Sequence, residues 1–336
     1  MAGIKSPIVT LTPSPTLDRT YFVKNLVEGG VNRAERVGEE LAGKGINVSR
    51  GLRLANIPAP GVVPIGNADP TVLERTGSGF ISPVWIEGTL RVSTTIVEYD
   101  GPTTKINESP RPLKQRDWDA VVALTEKTVL DNDAKWLVVA GAHPQIEETG
   151  EIIDLHPLFD RMKSLGVKVI LDTSGPALRY WAQQGKATIM KPNAHELAEC
   201  VGRDLNTLGD VIDAARELNG WGVDCVMASL GVDGIVAITK THAIHSYTPA
   251  VKVINTVGAG DSTIAGFLAA VTNHPADADA FGVGFDVAEG IAAAVQWGAA
   301  KVQQPTSGLQ SIENLVEPTI ELIPDRARLL GEPAKA

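Results

Sequence analysis

Cysteine is nearly absent from this chain: there are two, Cys200 and Cys225, in 336 residues. Cys200 lies in a helical pattern and Cys225 in an apolar strand-like run, so two buried thiols are expected rather than a disulfide framework or a metal site. Basic charge is outnumbered, with 30 Lys and Arg against 40 Asp and Glu and a formal net charge of −10. That argues against a nucleic-acid binder with a general basic surface, but not against a small anionic substrate held by a local basic cluster. No uninterrupted apolar run approaches the length of a membrane span. The first residues enter a strand-like run almost at once, without a long apolar segment and cleavage site. A soluble cytoplasmic protein is expected, with no nucleic-acid and no membrane partner.

Apolar residues make up 43% of the chain and charged residues 21%, enough for a sizeable core and too apolar for general disorder. The length allows two domains or one large one. Short apolar, β-rich runs at 136–141, 167–172, 187–190 and 224–229 alternate with amphipathic stretches at 114–130, 150–165, 193–201 and 207–219. A further strand opens the chain at "PIVTLTP". This rhythm predicts an α/β fold: a mostly parallel central sheet with helices on both faces, in one domain spanning 1–336.

Two regions break the rhythm. Residues 20–41 and 83–112 alternate apolar and polar side chains, as strands of a small sheet with one exposed face do. They predict a small β-sheet lid, inserted from about 18–41 and 83–112. The segment 57–70, with four prolines and two glycines, reads as a surface connection, as does "ADADA" at 276–280. The last few residues of the Pro-, Glu- and Ala-rich end, 311–336, read as an unstructured tail.

The most informative stretch is "NTVGAGDSTIAGF", residues 255–267, between a strand signal, "AVKVI", and an apolar helical pattern. Glycines let backbone N–H groups turn inward, and a helix N-terminus adds unsatisfied donors and partial positive charge, so the turn suits a phosphate. Asp261 follows directly. It can be a helix N-cap, or a general base that takes a proton from a hydroxyl attacking a bound phosphoryl group; the spacing leaves both open. Other glycine clusters fail as nucleotide loops. "GEELAGKG" (38–45) has Gly45 where a P-loop needs Ser or Thr, and no cluster completes G-x-G-x-x-G after a strand.

Five segments occur in a fixed order: "AGKGINVSRGL", "LDTSG", "MKPNAHEL", "SLGVDG" and "NTVGAGDSTIAGF". Together they resemble the phosphofructokinase-B branch of the ribokinase-like sugar kinases, over residues 9 to about 310, and the opening "TLTPSPTLDRTY" is similar to that of its hexose-phosphate members. The resemblance implies a ribokinase-like fold and transfer of the γ-phosphoryl of ATP to a sugar-phosphate hydroxyl. It implies that Asp261 is the base and that Gly258, Ala259 and Gly260 present N–H groups to the transferring phosphoryl. It implies that Asp18, Gly43, Lys44, Asn47 and Arg91 bind the sugar phosphate, Arg91 by gripping its existing phosphate. It further implies that Lys191, Asn193, Ser229, Gly231 and Thr256 line the nucleotide, that Glu196 organises Mg²⁺ through water, and that 296–305 lies near the adenine. A homodimer through the lid is implied as well.

Some positions depart from the family pattern. "AGKG" replaces "GGKG", "RVSTTI" after Arg91 lacks the usual Asn and Lys, and "AGAHPQI" (140–146) replaces a "GSLPPG" type loop. The choice among fructose 1-phosphate, fructose 6-phosphate and tagatose 6-phosphate stays open. A kinase of an unphosphorylated sugar or nucleoside would not need Arg91, and a non-catalytic sensor would not need the intact Gly-Ala-Gly-Asp turn. His143, in the divergent loop, is either a substrate contact or a solvated histidine. His242 and His245 have ligand-like spacing without an evident third ligand.

Overall fold

A computed structural model of the chain describes residues 5–99, 101–273, 282–306 and 308–335. The connection expected at 276–280 lies outside the described residues. The chain begins with β1 (Ile8–Leu11), then the antiparallel pair β2 (Thr16–Val23) and β3 (Arg36–Ala42). Helix α1 (Lys44–Leu54) precedes β4 (Gly61–Gly66), which joins β1, and the short α2 (Val72–Arg75) leads to β5 (Ile81–Ile86), which joins β4. β6 (Arg91–Glu98) and β7 (Thr103–Asn107) return to β2.

Regular alternation then sets in. α3 (Gln115–Asn132), β8 (Trp136–Ala140), α4 (His156–Ser164), β9 (Lys168–Asp172), α5 (Pro176–Gln184) and β10 (Ile189–Met190) follow in turn. After them come α6 (Ala194–Val201), β11 (Leu205–Thr207), α7 (Leu208–Trp221) and β12 (Cys225–Ser229). The antiparallel β13 (Ile235–Thr239) and β14 (Ala243–Tyr247) lead to α8 (Ala259–Asn273) and α9 (Val287–Val302), and the chain closes with β15 (Thr319–Glu321) and β16 (Leu329–Ala334).

Among the described residues, ten strands form the main sheet in the order β15-β14-β13-β12-β10-β9-β8-β1-β4-β5, and β3-β2-β6-β7 form a second one. From β12 to β5 all pairings are parallel; β13, β14 and β15 are antiparallel. Successive side chains of a strand point to opposite faces, which here means two separate cores. Val9, Leu11, Leu137 and Val139 pack with Trp118, Phe159, Trp181 and Leu218 of α3, α4, α5 and α7. Ile8, Trp136, Val138 and Ala140 pack with Leu52, Phe267 and Trp297 of α1, α8 and α9. Burial on both faces is why these strands read as unbroken apolar runs. Both cysteines are buried free thiols, as expected.

Four expectations need correction. Residues 57–70 are not a surface connection: β4 is buried along its whole length. Its proline is tolerated for a visible reason. Pro60 and Val62 present their carbonyls to β1, so Pro64 faces the same way, and the register with β1 stops at Val62. The missing N–H therefore falls where no ladder partner exists. The stretch 83–112 is divided: Ile81–Ile86 is the edge strand of the main sheet, and only β6 and β7 join β2 and β3. "AVKVI" is not a strand; Ile254 and Asn255 instead donate their N–H groups to Val302 O. Nor are the residues up to Ala334 an unstructured tail, since β16 pairs antiparallel with β11 and buries Ala334.

The elements carrying the quoted motifs converge at the carboxyl ends of the parallel strands, where open α/β sheets form their crevice. β1 runs out at Leu11, opposite the start of α1; β9 ends at Asp172; β10 leads into Lys191–Asn193; β12 ends at Ser229.

Candidate active site

The glycine turn is built from its entrance inward. Val302 O accepts from Ile254 N at 2.7 Å and from Asn255 N at 3.1 Å, tying the turn to the end of α9. Gly258 has φ +78°, a left-handed conformation that a side chain would strain. Ala259 N donates to Thr256 O, so of the three amides expected to hold an anion, one is already used. Gly258 and Gly260 keep theirs, and Asp261 N joins them. Among the described residues none of these three N–H groups has an acceptor. A Cβ on Gly260 would lie 3.1 Å from Lys191 Nζ, so an ammonium rests against the same turn.

Asp261 is the third residue of α8, not its N-cap. Its Oδ2 accepts a 2.8 Å hydrogen bond from Asn47 Nδ2 on α1, so the carboxylate is held across the crevice rather than spent on its own helix. Burial pushes its pKa up to about 6, and the nearby charge of Asp172 pushes the same way against Lys44, the Asn47 bond and Lys191. A base with this value is ionised at neutral pH yet close enough to it to take up a proton. We therefore expect kcat/KM, which reports the free enzyme, to fall about tenfold per pH unit below roughly pH 6 and to level off above it. A flat profile from pH 5 to 8 would show that Asp261 does not set the limb. For stability the sign is opposite: a raised carboxylate pKa favours folding at low pH, and that contribution fades as pH rises through about 6.

Beside Asp261 lies a buried carboxylate between two lysines. Asp172 Oδ1 is 2.8 Å from Lys44 Nζ, and Oδ2 is 3.5 Å from Lys191 Nζ, too long for a good hydrogen bond. Burial works against the charge on Asp172, but the two ammonium groups outweigh it and lower its pKa. Lys44 is likewise penalised by burial, yet the charges of Asp172, Asp261 and Glu196 hold its pKa above the ordinary value. Sequence reasoning gave Asp172 no role; the signal was the quoted "LDTSG" at the end of a buried strand.

Asn193 and Glu196 form a reciprocal cap on α6: Asn193 Oδ1 accepts from Glu196 N and Glu196 Oε2 from Asn193 N, both at 2.8 Å. The Asn193 side chain is thus committed to the helix start, and one carboxylate oxygen of Glu196 is occupied. Ser229 pairs with Asn193 across the strand ends, and Gly231, with φ +59°, starts the tight turn Gly231–Asp233. Thr256 is exposed on the glycine turn. Among the described residues no side-chain hydrogen bond ties Ser229, Gly231 or Thr256 to the Asp261 cluster. Nor, among the described residues, is there a group of three metal-type side chains. The second carboxylate oxygen of Glu196, not used by the cap, fits Mg²⁺, which keeps several waters and takes few protein ligands. Glu196, half-buried and near enough for its charge to act on Lys44, fits an outer position.

Asp18 and Arg91 lie on neighbouring strands of the second sheet, two positions out of register: Thr16 pairs with Arg91 and Asp18 with Ser93. Asp18 Oδ1 accepts from Thr16 Oγ1 at 2.6 Å, and burial raises its pKa. Arg91 donates from Nη2 to Ser14 O and from Nη1 to Glu108 O, and its buried Nε has no partner among the described residues. Among the described residues no carboxylate lies within ion-pair distance of it. A half-buried guanidinium spent only on carbonyls keeps its charge for an anion.

Gly43 and Gly45 have packing reasons. Gly43 has φ +147°, and a Cβ on Gly45 would lie 2.6 Å from Thr12 Oγ1 and 3.0 Å from Leu11 O, so glycine lets α1 start hard against the end of β1. Arg50 escaped sequence reasoning altogether. Its Nη1 reaches Asn47 Oδ1 at 3.3 Å and pairs with Glu40 at 2.8 Å, linking the Asp18 strand pair to the residue that holds Asp261. In the divergent loop, His143 is not a solvated histidine. Its Nδ1 accepts from Trp181 Nε1 at 3.2 Å, its buried Nε2 has no partner among the described residues, and burial lowers its pKa to about 4. His245 is buried in β14 with Nε2 bonded to Asp233 O, and the Nδ1 of His242 meets the Thr241 hydroxyl.

Comparison with known proteins points the same way as this geometry. Residues 14–314 match the sequence pattern of the pfkB family carbohydrate kinases. The chain is 32% identical over 284 residues to a 1-phosphofructokinase of Haloferax volcanii, covering 82% of this chain and 88% of that one. It is 30% identical over 265 residues to a 1-phosphofructokinase of Vibrio cholerae, covering 77% and 81%. The crystal structure of phosphofructokinase-2 from Escherichia coli in complex with potassium superposes with a TM-score of 0.78 at 26% identity, over 92% of this chain and 96% of that one.

Proposed function

We propose, from the premise that this chain belongs to the pfkB family of carbohydrate kinases, that its acceptor is fructose 1-phosphate and that Asp261 is its general base. The class is that of an ATP-dependent hexose-phosphate kinase, a phosphotransferase acting on a hydroxyl group. One observation carries the mechanism: three backbone N–H groups without acceptors among the described residues surround the start of a buried carboxylate whose pKa is raised to about 6.

In this reading Asp18 and Arg91 hold the acceptor, Asp18 by its hydroxyls and Arg91 by its phosphate. Asn47 aims Asp261 Oδ2 at the attacking hydroxyl, and Asp261 takes its proton. Gly258, Gly260 and the amide of Asp261 receive the charge that spreads over the phosphoryl oxygens, with Lys191 against the same turn. Lys44, neutralised by Asp172, lines the crevice between acceptor and turn. Asn193, Ser229, Gly231 and Thr256 would flank the nucleotide. Mg²⁺, organised through water by Glu196, would neutralise phosphate charge when bound. The second sheet would act as a lid that keeps water from the reacting phosphoryl group.

Arg91 separates this reading from a kinase of a neutral sugar. Replacing it with Gln should raise KM for fructose 1-phosphate about 10- to 100-fold, the cost of losing a charge-assisted contact, and leave KM for ATP nearly unchanged. Coupled ADP-release assays across fructose, ribose, fructose 1-phosphate, fructose 6-phosphate and tagatose 6-phosphate decide the acceptor. Faster turnover of the neutral sugars in the parent enzyme would overturn the proposal. We further infer a cytoplasmic homodimer joined through the second sheet, which exposes Val37 and Ile106 on its strands and Val31 and Tyr99 in its loops. Among the described residues no helix is long and apolar enough to cross a membrane. A monomeric mass by sedimentation at micromolar concentration would count against the dimer.

A further inference from the structure

Lys301 lies one residue from the end of α9, and its side chain is fully buried, with 0% exposure. A lysine at a helix C-terminus gains from the helix dipole while its head stays in water, so burial needs another cause. Its Nζ donates to Asn255 O at 3.1 Å. No carboxylate lies within ion-pair distance among the described residues. The next residue of α9, Val302, accepts the Asn255 N–H. Two consecutive residues of α9 therefore clamp the backbone of the first residue of the Asn-Thr-Val-Gly-Ala-Gly-Asp turn, one at its N–H and one at its C=O. The clamp is rigid because α9 is pressed against α8: a Cβ on Gly298 would lie 2.8 Å from Thr263 Cγ2, and one on Gly266 would lie 2.6 Å from Ala293 O. Burial lowers the Lys301 pKa to about 8; the like charge of Lys105 adds to this and Asp261 opposes it.

We propose that Lys301 is a positioning residue for phosphoryl transfer, an internal cation that holds the Asn255 carbonyl and fixes the anion-binding turn. A cation bonded to that carbonyl also polarises its peptide unit, making the Thr256 N–H a stronger donor at the mouth of the turn. The inference rests on the kinase reading of this site. Because the turn meets its full charge only as the phosphoryl group transfers, the loss should fall on kcat rather than on either KM.

The test uses the full chain with two substitutions. Lys301→Met fills the space without charge, and Lys301→Ala leaves a cavity. Both should lower kcat on the order of 10- to 100-fold with KM values within about twofold, by analogy with removal of a donor to developing charge. Ammonium or methylammonium should restore Lys301→Ala at least about fivefold while leaving Lys301→Met and the parent unchanged, since only the cavity can admit a cation. Binding of ADP with aluminium fluoride, a mimic of the transferring phosphoryl, should weaken at least tenfold in Lys301→Met, with ADP alone unchanged. Parental kcat in Lys301→Met would overturn the proposal. So would loss of activity that tracks lost folding by circular dichroism and is not rescued. If the parent phosphorylates no acceptor, the kinase reading fails, and aluminium fluoride binding still decides whether Lys301 serves the turn.

Discussion

Asp261→Asn should leave a folded protein that binds ATP and transfers almost no phosphoryl group. The amide keeps the volume of the carboxylate and an oxygen for the bond from Asn47 Nδ2, so the crevice should hold its shape. It cannot take a proton. Losing a positioned general base costs on the order of 10²- to 10⁴-fold in kcat. Stability should not fall with it, because a buried carboxylate whose pKa is raised by desolvation is a cost to the folded state at neutral pH. Steady-state kinetics with thermal melting measure both. A variant within tenfold of the parent kcat would show that the three open N–H groups and the lysines carry the reaction, and that Asp261 serves only to balance charge.

Asp172→Asn should do the reverse and unsettle the fold. Asp172 is 1% exposed and is the only carboxylate within ion-pair distance of Lys44 and Lys191 among the described residues. Neutralising it leaves Lys191, itself 4% exposed, without a counter-charge. Breaking a buried pair by removing one partner costs about 3–5 kcal/mol. The pH window follows from the signs. The lowered pKa of Asp172 contributes stability that is present above the unfolded value and lost as pH falls through the folded one. The raised pKa of Lys44 contributes stability that is present below its unfolded value and lost as pH rises through the folded one. The triad therefore stabilises the protein across the neutral range, and the variant should lose most there. Urea unfolding at pH 7 tests this; a change under about 1 kcal/mol would mean that solvent already screens the two lysines.

These two carboxylates also mark how far the amino-acid order could be read. Fold class was legible because its causes are local. Parallel strands covered on both faces must be continuous apolar runs, and β8, β9 and β12 appear within a residue or two of where those runs lie. The turn at 255–261 was legible because glycines and a helix start leave their mark within seven residues. Where the causes were distant, the reading failed. β4 looked like a loop because it contains Gly and Pro, and its proline fits only because β1 ends where Pro64 begins to need a partner. Asp261 looked as much like an N-cap as a base, since its partner Asn47 lies 214 residues away. Asp172 carried no visible role, because Lys44 comes from 128 residues upstream to meet it. Lys301 gave no sign that its ammonium would be buried under a carbonyl 46 residues earlier. Periodicity and turn chemistry act over a few residues, whereas charge, burial and pKa depend on what the folded chain brings within a few ångströms. The composition of the site was therefore written in the sequence, and its electrostatics were set only by the tertiary packing of α1, β9, α8 and α9.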